Sequence, residues 1–438
     1  MDLTRRDTLR LAVLLGALVP LAACDTREPS VPPTQGPLRL ELASSGLRHL
    51  PGDPEAAPAA AASVHALAAG LYGALAAQPG NIAFSPYSVA VALTMTANGA
   101  HGRTAREMLD VLGAADLTAL DEGLDALTQQ VEALAGPVDD GSQDPPEIEL
   151  SAANAVFGQR DVRWEGDFLD ALARWFGTGM RVVDYQRDAE GVRRLINGWT
   201  SDQTHDRIPE IIPAGVLDPL TRLVLVNALY LKAPWAEPFI KEQTKDLAFG
   251  LPDGTMVGVP TMTAVLASTA LGKGDGWQAV RIPYAGGGLA MTVVLPDRGR
   301  PADVLALVAS GGLPDILGSV EHASVELFLP RWTFRSTSPL TDVLPGLGMP
   351  TAFDPDRADF SGMTKDARLY ISEVLHETFV AVDEDGTEAA AATAVVMSET
   401  SALLPDTTIY VDRPFLFVIH DVVHGTPLFL GRVDDPRA

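Results

Sequence analysis

Residues able to do chemistry are sparse in this chain, and their spacing argues against a reaction. His420 and His424 stand four apart, a separation that on one helical face would hold zinc. They fall on the two sides of an expected hairpin turn in RPFLFVIHDVVHGTPLFLGRV, so they read as ordinary turn residues and no metal ligand is assigned. Gly286, Gly287 and Gly288 form a lone glycine run, read as a turn and not a phosphate cradle. The chain has no GxSxG, Walker, HExxH or CxxC pattern. With 57 acidic residues, no carboxylate pair stands out as a general acid and base. Nothing here makes an enzyme, and no cofactor is implied.

The most unusual chemistry is conformational. Residues 383–406, DEDGTEAAAATAVVMSETSALLPD, open on acids around Gly386, continue with Ala389 to Ala392, and close on a Pro-Asp turn. Alanine favours helix, Val and Thr favour strand, and the polar ends suit an exposed loop. Taken as a strand, Thr387, Ala389, Ala391, Thr393, Val395 and Met397 share one uncharged face that begins with small side chains. Such a face could enter between two existing strands without overpacking. Glu388 and Ser398 lie near the ends of the other face, which is expected to meet water. One reading satisfies both signals: a loop that later becomes a strand.

The elements around that segment are legible by period and punctuation. A helical pattern covers 63–77, and Ser85 with Pro86 marks the start of a second helix that Gly99 ends. Thr104 and Glu107 have capping-box spacing for a third helix ending at Gly113. RLVLVNALYL, residues 222–231, is an apolar run suited to a strand buried on both faces. LAMTVVLP, VELFLPRWTF and ARLYISEVLHETFVAVDE read as further strands, and the C-terminus as a hairpin. Helices first and strands later indicate an α+β domain with antiparallel sheets.

The first 24 residues are a separate matter. Arg5, Arg6 and Arg10 precede an apolar run over 11–23, too short for a comfortable membrane span and suited to a signal-peptide core. Leu21, Ala22, Ala23 and Cys24 resemble a bacterial lipobox, so Cys24, the chain's one cysteine, is expected to carry lipid and become the mature N-terminus. The protein is then exported and lipid-anchored to the bacterial cell envelope, outside the cytoplasm. Arg5-Arg6 looks like a twin-arginine signal; the Sec route and the choice of membrane stay open. The Pro- and Ala-rich stretch 25–62 reads as a mostly disordered tether with a short ordered patch at LRLEL, and 63–438 as one folded domain. A net charge of −25 argues against nucleic acid as a partner.

Several of these stretches resemble the serpin family. NIAFSPYSVAVALTMTANGAHGRTAREML is similar to its N-terminal helices, and LVLVNALYLKAPWAEPF to its strand and breach region. ADFSGMT, then LYISEVLHETFVAVDEDGTEAAAAT, looks like the path into its reactive loop, and RPFLFVIHDVVHGTPLFLGRV like its C-terminal signature. The likeness runs in order over 63–436. It implies an α+β serpin fold with N-terminal helices, large mixed and antiparallel sheets and an exposed reactive-centre loop. It further implies a monomeric suicide-substrate inhibitor of serine proteases, in which the cut loop enters the central sheet before the acyl-enzyme can be hydrolysed. A serpin that does not inhibit, serving as a binding or structural surface lipoprotein, is the alternative.

The resemblance also assigns residues. The hinge is Glu384, Gly386, Thr387, Glu388, Ala389, Ala390, Ala391 and Ala392, a pattern that favours inhibition. The reactive bond falls between Thr400 and Ser401, with cleavage after Met397, Leu403 or Leu404 left open. Thr400 suits an elastase- or subtilisin-like pocket, and the absence of a basic residue between Gly386 and Asp406 disfavours trypsin-like enzymes. Ser85, Ser88, Asn227 and His376 match the polar cluster beneath the central sheet, and Trp235 the tryptophan where insertion begins. KAPW, residues 232–235, departs from the family pattern by lacking a glycine and a second lysine.

Overall fold

Alanine-rich, leucine-spaced segments build the N-terminal helices. The computed structural model describes residues 38–139, 141, 145–388 and 405–438. Helix α1 spans Ala57–Leu75, α2 Pro86–Ala97, α3 Gly102–Val111, α4 Leu117–Glu132, α5 Gly166–Phe176 and α6 Tyr185–Gln203. α2 starts as its sequence predicts: Ser85 Oγ accepts the Ser88 N–H at 3.1 Å and Pro86 opens the first turn.

Two expectations fail locally. α1 begins at Ala57, ahead of the expected Ser63, because Pro58 is tolerated in a first turn and the alanines after it propagate helix. The Thr104–Glu107 capping box does not form. Thr104 Oγ1 accepts the Asp359 N–H instead, while Glu107 takes the Thr351 N–H and hydroxyl, both at 2.9 Å. Tertiary partners have replaced the local ones.

The strands are β1 (Glu41–Ala43), β2 (Ile82–Phe84), β3 (Gly136–Pro137), β4 (Glu147–Gln159), β5 (Met180–Val183) and β6 (Leu223–Pro234). Next come β7 (Lys245–Gly250), β8 (Met256–Gly274), β9 (Trp277–Pro283), β10 (Leu289–Pro296) and β11 (Glu321–Pro330). The chain ends with β12 (Trp332–Ser338), β13 (Glu373–Val382), β14 (Gly386–Thr387), β15 (Thr407–Tyr410), β16 (Phe415–Asp421) and β17 (Pro427–Val433). One sheet has the order β1-β5-β4-β6-β14-β13-β12, and the other β15-β11-β8-β9-β10-β16-β17-β2. β16 and β17 form the expected C-terminal hairpin.

β6 is the axis of the first sheet. Its side chains are buried on both sides, as an unbroken apolar run requires. Leu223, Leu225, Leu229, Leu231 and Ala233 join the main core, while Val224, Val226 and Ala228 pack with Tyr185, Val192 and Ile196 of α6. β6 pairs antiparallel with β4 on one side and parallel with β13 on the other.

The stretch read as a tether to Ala62 is, from Leu38 onward, part of the body. β1 pairs antiparallel with β5 at the sheet edge, His49 Nε2 meets Asp125 Oδ1 at 2.6 Å, and the Gly52 N–H donates to Gln129 Oε1 at 3.1 Å. Leu42, Leu47 and Leu50 stay exposed. The segment is held by hydrogen bonds more than by apolar burial, so hydropathy could not reveal it.

Candidate functional site

The sheet is closed in its middle and open at one end. Over Val224–Leu229 and Glu373–Thr378, β6 and β13 pair directly; beyond that they part, and the two residues of β14 fill the gap. Gly386 faces Pro234 and Thr387 faces Ala233 across β6, while Thr387 faces Val382 of β13. Glycine is required here because a Cβ on Gly386 would lie 2.2 Å from the Ala233 carbonyl oxygen.

The turn that delivers β14 is tightly tied. Asp383 Oδ1 accepts the Asp385 and Gly386 N–H groups at 2.9 and 3.2 Å, and the Asp383 N–H donates back to the Gly386 carbonyl at 3.0 Å. Trp235 caps this turn: its Nε1–H donates to the Asp383 carbonyl at 3.0 Å, and its ring stacks on Tyr284 at 4.5 Å. Glu384 is buried, accepts from Thr244 Oγ1 at 2.6 Å and faces Arg331 Nη1 at 3.5 Å. Thr387 is also buried, and its hydroxyl meets the Tyr284 hydroxyl at 2.5 Å.

Glu388 departs from the expectation that it meets water. Its side chain is 8 % exposed and ion-paired with Arg207 Nε. Burial raises its carboxyl pKa, and Arg207 opposes that shift. The reason is that the water-facing side of the sheet is covered there by the chain that follows α6.

The second cluster lies under the closed part of the sheet. The Ser85 N–H donates to His376 Nε2 at 2.9 Å, so that nitrogen is unprotonated and Nδ1–H donates to the Asn227 carbonyl at 3.1 Å. Burial drives the His376 pKa down to about 4, only partly offset by that carbonyl. Ser88 Oγ donates to Asn154 Oδ1 at 2.5 Å, and Asn154 stands opposite Asn227 in the β4–β6 register. The Asn227 side-chain amide is fully buried and has no hydrogen-bond partner among the described residues.

Ser85, Ser88, Asn227 and His376 are thus brought together, and Trp235 sits with Glu384, Gly386 and Thr387 at the other end of the β6–β13 pair. Ala389, Ala390, Ala391 and Ala392, the Thr400–Ser401 bond and Cys24 lie outside the described residues. Sequence reasoning missed Asn154, Arg207 and Tyr284. Only Asn154, a polar residue inside the apolar AANAVF, carried a signal. His420 and His424 have separate partners, Thr292 Oγ1 and Gln130 Oε1, each at 2.9 Å.

Comparison with known proteins now decides the family. The model of the serpin (serine protease inhibitor) family matches residues 62–436. The chain belongs to the serpin family. This serpin is 35 % identical over 369 residues to an uncharacterised serpin-like protein of Thermococcus kodakarensis, covering 84 % of this chain and 83 % of that one. It is 32 % identical to leukocyte elastase inhibitor of Xenopus tropicalis, over 82 % of this chain and 93 % of the other. With plasminogen activator inhibitor 1 of Sus scrofa the identity is 33 %, over 81 % and 87 % of the two chains. Among solved structures, the thermophilic serpin tengpin in its native state superposes with a TM-score of 0.77 at 25 % identity, over 91 % of this serpin and all of tengpin. A tumour-suppressing serpin shares the fold with a TM-score of 0.74 at 22 % identity, over 86 % and 100 % of the chains. The α+β serpin fold expected from sequence is the observed one.

Proposed function

We propose that this serpin is a suicide-substrate inhibitor of serine proteases. The observation that carries the reading is β14: strand addition has begun between β6 and β13 and stops after two residues, with the register already set. Six residues on from Thr387 is Thr393, six back from Ala233 is Asn227, and six back from Val382 is His376. Continuing the strand would therefore part Asn227 from His376 and set Thr393 between them, beside the unpartnered Asn227 amide.

The face arithmetic supports the same step. Ala233, Leu231, Leu229 and Leu225 point into the main core, so Thr387, Ala389, Ala391, Thr393 and Val395 would follow them there. None is charged. Each new ladder hydrogen bond is worth about 0.5–1.5 kcal/mol net, and burial of Val395 and Met397 adds about 1.5–3 kcal/mol apiece. A protease whose serine has been acylated by the Thr400 carbonyl, with the Thr400–Ser401 bond broken and Ser401 released as a free amine, would be carried along by that gain before water hydrolyses the ester.

The loop composition supports an elastase- or subtilisin-like target over a trypsin-like one, and the leader supports export with a lipid on Cys24. Incubation with pancreatic elastase, subtilisin and trypsin, followed by denaturing electrophoresis, tests the first point. A heat-stable covalent complex with elastase or subtilisin is expected; cleavage without any complex sinks inhibition and favours a non-inhibitory serpin. Labelling with radioactive palmitate in a bacterial host tests the second, with Cys24→Ser expected to lose both label and membrane association.

A further inference from the structure

Strand addition halts at one residue, and that residue is strained. The Glu388 N–H still donates to the Ala381 carbonyl at 2.8 Å, continuing the ladder with β13. Yet its φ is +52°, the left-handed region that turns the chain out of the strand. For a residue with a side chain this conformation is unfavourable and persists only where its surroundings impose it.

Arg207 is the group that binds its side chain. Its Nε binds the Glu388 carboxylate, and its guanidinium lies 5.6 Å from the ring centre of Phe379 on β13. Its own backbone is fixed just past α6, where the Arg207 N–H donates to the Thr204 carbonyl at 2.9 Å and Thr204 Oγ1 is bonded to the Thr200 carbonyl at 2.8 Å. Arg335 of β12 also lies against the Phe379 ring, at 6.0 Å, but among the described residues the ion pair of Glu388 is with Arg207. One step further along the register, an extended Glu388 would stand beside Lys232, which is already held by Glu149 Oε1 across the β4–β6 pair at 2.5 Å. His205, whose charge also acts on the Glu388 carboxylate, is stacked on Tyr230 at 4.5 Å with Glu149 4.0 Å from its Nδ1.

We infer that Arg207 is a positioning residue for the hinge: by gripping Glu388 it holds that residue left-handed and stops the uncut loop from entering the sheet beyond Thr387. The inference rests on the inhibitor reading and adds to it a named control over the rate of insertion. Without the ion pair the left-handed conformer has nothing to sustain it, and the chain is free to extend into the slot.

The test uses the full chain, uncut, held some degrees below its melting temperature. Conversion is followed as the appearance of a form that melts higher and no longer traps protease. Arg207→Ala and Glu388→Gln are each expected to convert at least ten-fold faster than the parent. Arg207→Lys, which keeps a cation at that place, and the exchange Arg207→Glu with Glu388→Arg are expected to return toward the parent rate. Conversion of both Arg207→Ala and Glu388→Gln at the parent rate or slower overturns the inference. Proteolytic nicking of the parent separates the two claims. If nicking raises the melting temperature but neither single variant converts faster, only the role of Arg207 falls; if nicking raises nothing, the inhibitor reading falls with it.

Discussion

Asn227 and His376 stand directly opposite each other where β6 and β13 run parallel, and the His376 Nδ1–H donates to the Asn227 carbonyl. This contact has to break for a strand to pass between them. Among the described residues the Asn227 side-chain amide has no partner in the closed sheet, a state that costs about 1–3 kcal/mol for a buried polar group. A closed state that carries such a defect, and an inserted state able to relieve it, is the energetic signature expected of a loop-insertion device.

Thr393→Val removes the hydroxyl while keeping the shape. It is expected to leave the melting temperature of the intact protein unchanged and to destabilise the nicked form by about 1–3 kcal/mol, the cost of leaving the Asn227 amide unmet. Calorimetry of both forms measures the difference; equal effects on the two would show that Thr393 does not reach the cluster.

Thr387→Arg forces a charge into a site that is 3 % exposed and bonded to Tyr284. The variant should become a substrate, with the number of inhibitor molecules consumed per protease rising several-fold. Tyr284→Phe, which removes only the bond to Thr387, should cost about 0.5–1.5 kcal/mol of stability and leave the stoichiometry close to that of the parent. Titration of a fixed amount of elastase or subtilisin reads both.

Gly386→Ala tests the close approach at the mouth of the slot. The added methyl would meet the Ala233 carbonyl oxygen and the Pro234 Cα, both backbone atoms that cannot swing aside. β14 should be expelled, and limited proteolysis should cut near residue 386 at least ten-fold faster than in the parent. An unchanged rate would contradict the packing described for Gly386.

Acid should weaken the closed sheet through His376. The ring titrates near 6.5 when unfolded and is pushed down to about 4 in the fold, so between those values the unfolded chain binds more protons. Its contribution, on the order of 3 kcal/mol, is complete above about pH 6.5 and lost as the pH falls toward 4. His420, also driven to about 4 by burial, acts in the same direction, whereas Asp121, pushed up to about 8, acts in the opposite one. The comparison that isolates His376 is therefore parent against His376→Gln. Chemical denaturation at pH 4.5 and 6.5 should show a shallower loss of stability in the variant, and parallel losses would refute the role of the ring.

Much of this molecule was written in local pattern. Ser85 and Pro86 start α2 because a hydroxyl cap and a proline act within one turn, and β6 is buried on both faces because ten apolar positions leave it no polar side. The uncharged alternation after Gly386 likewise marks a latent strand, since period two belongs to the segment itself. Local pattern failed where a partner far along the chain outbid the near one. Thr104 and Glu107 have the spacing of a cap, yet they bond to Asp359 and Thr351.

Direction and register were decided only by the fold. Nothing in either strand says that β6 and β13 run parallel, that Asn227 faces His376, or that Tyr284 and Arg207 grip Thr387 and Glu388. Periodicity reports which side of a strand is apolar, not which strand lies beside it. Pairings between residues 100 to 200 positions apart arise from packing whole layers together, and that information exists only once the chain has folded.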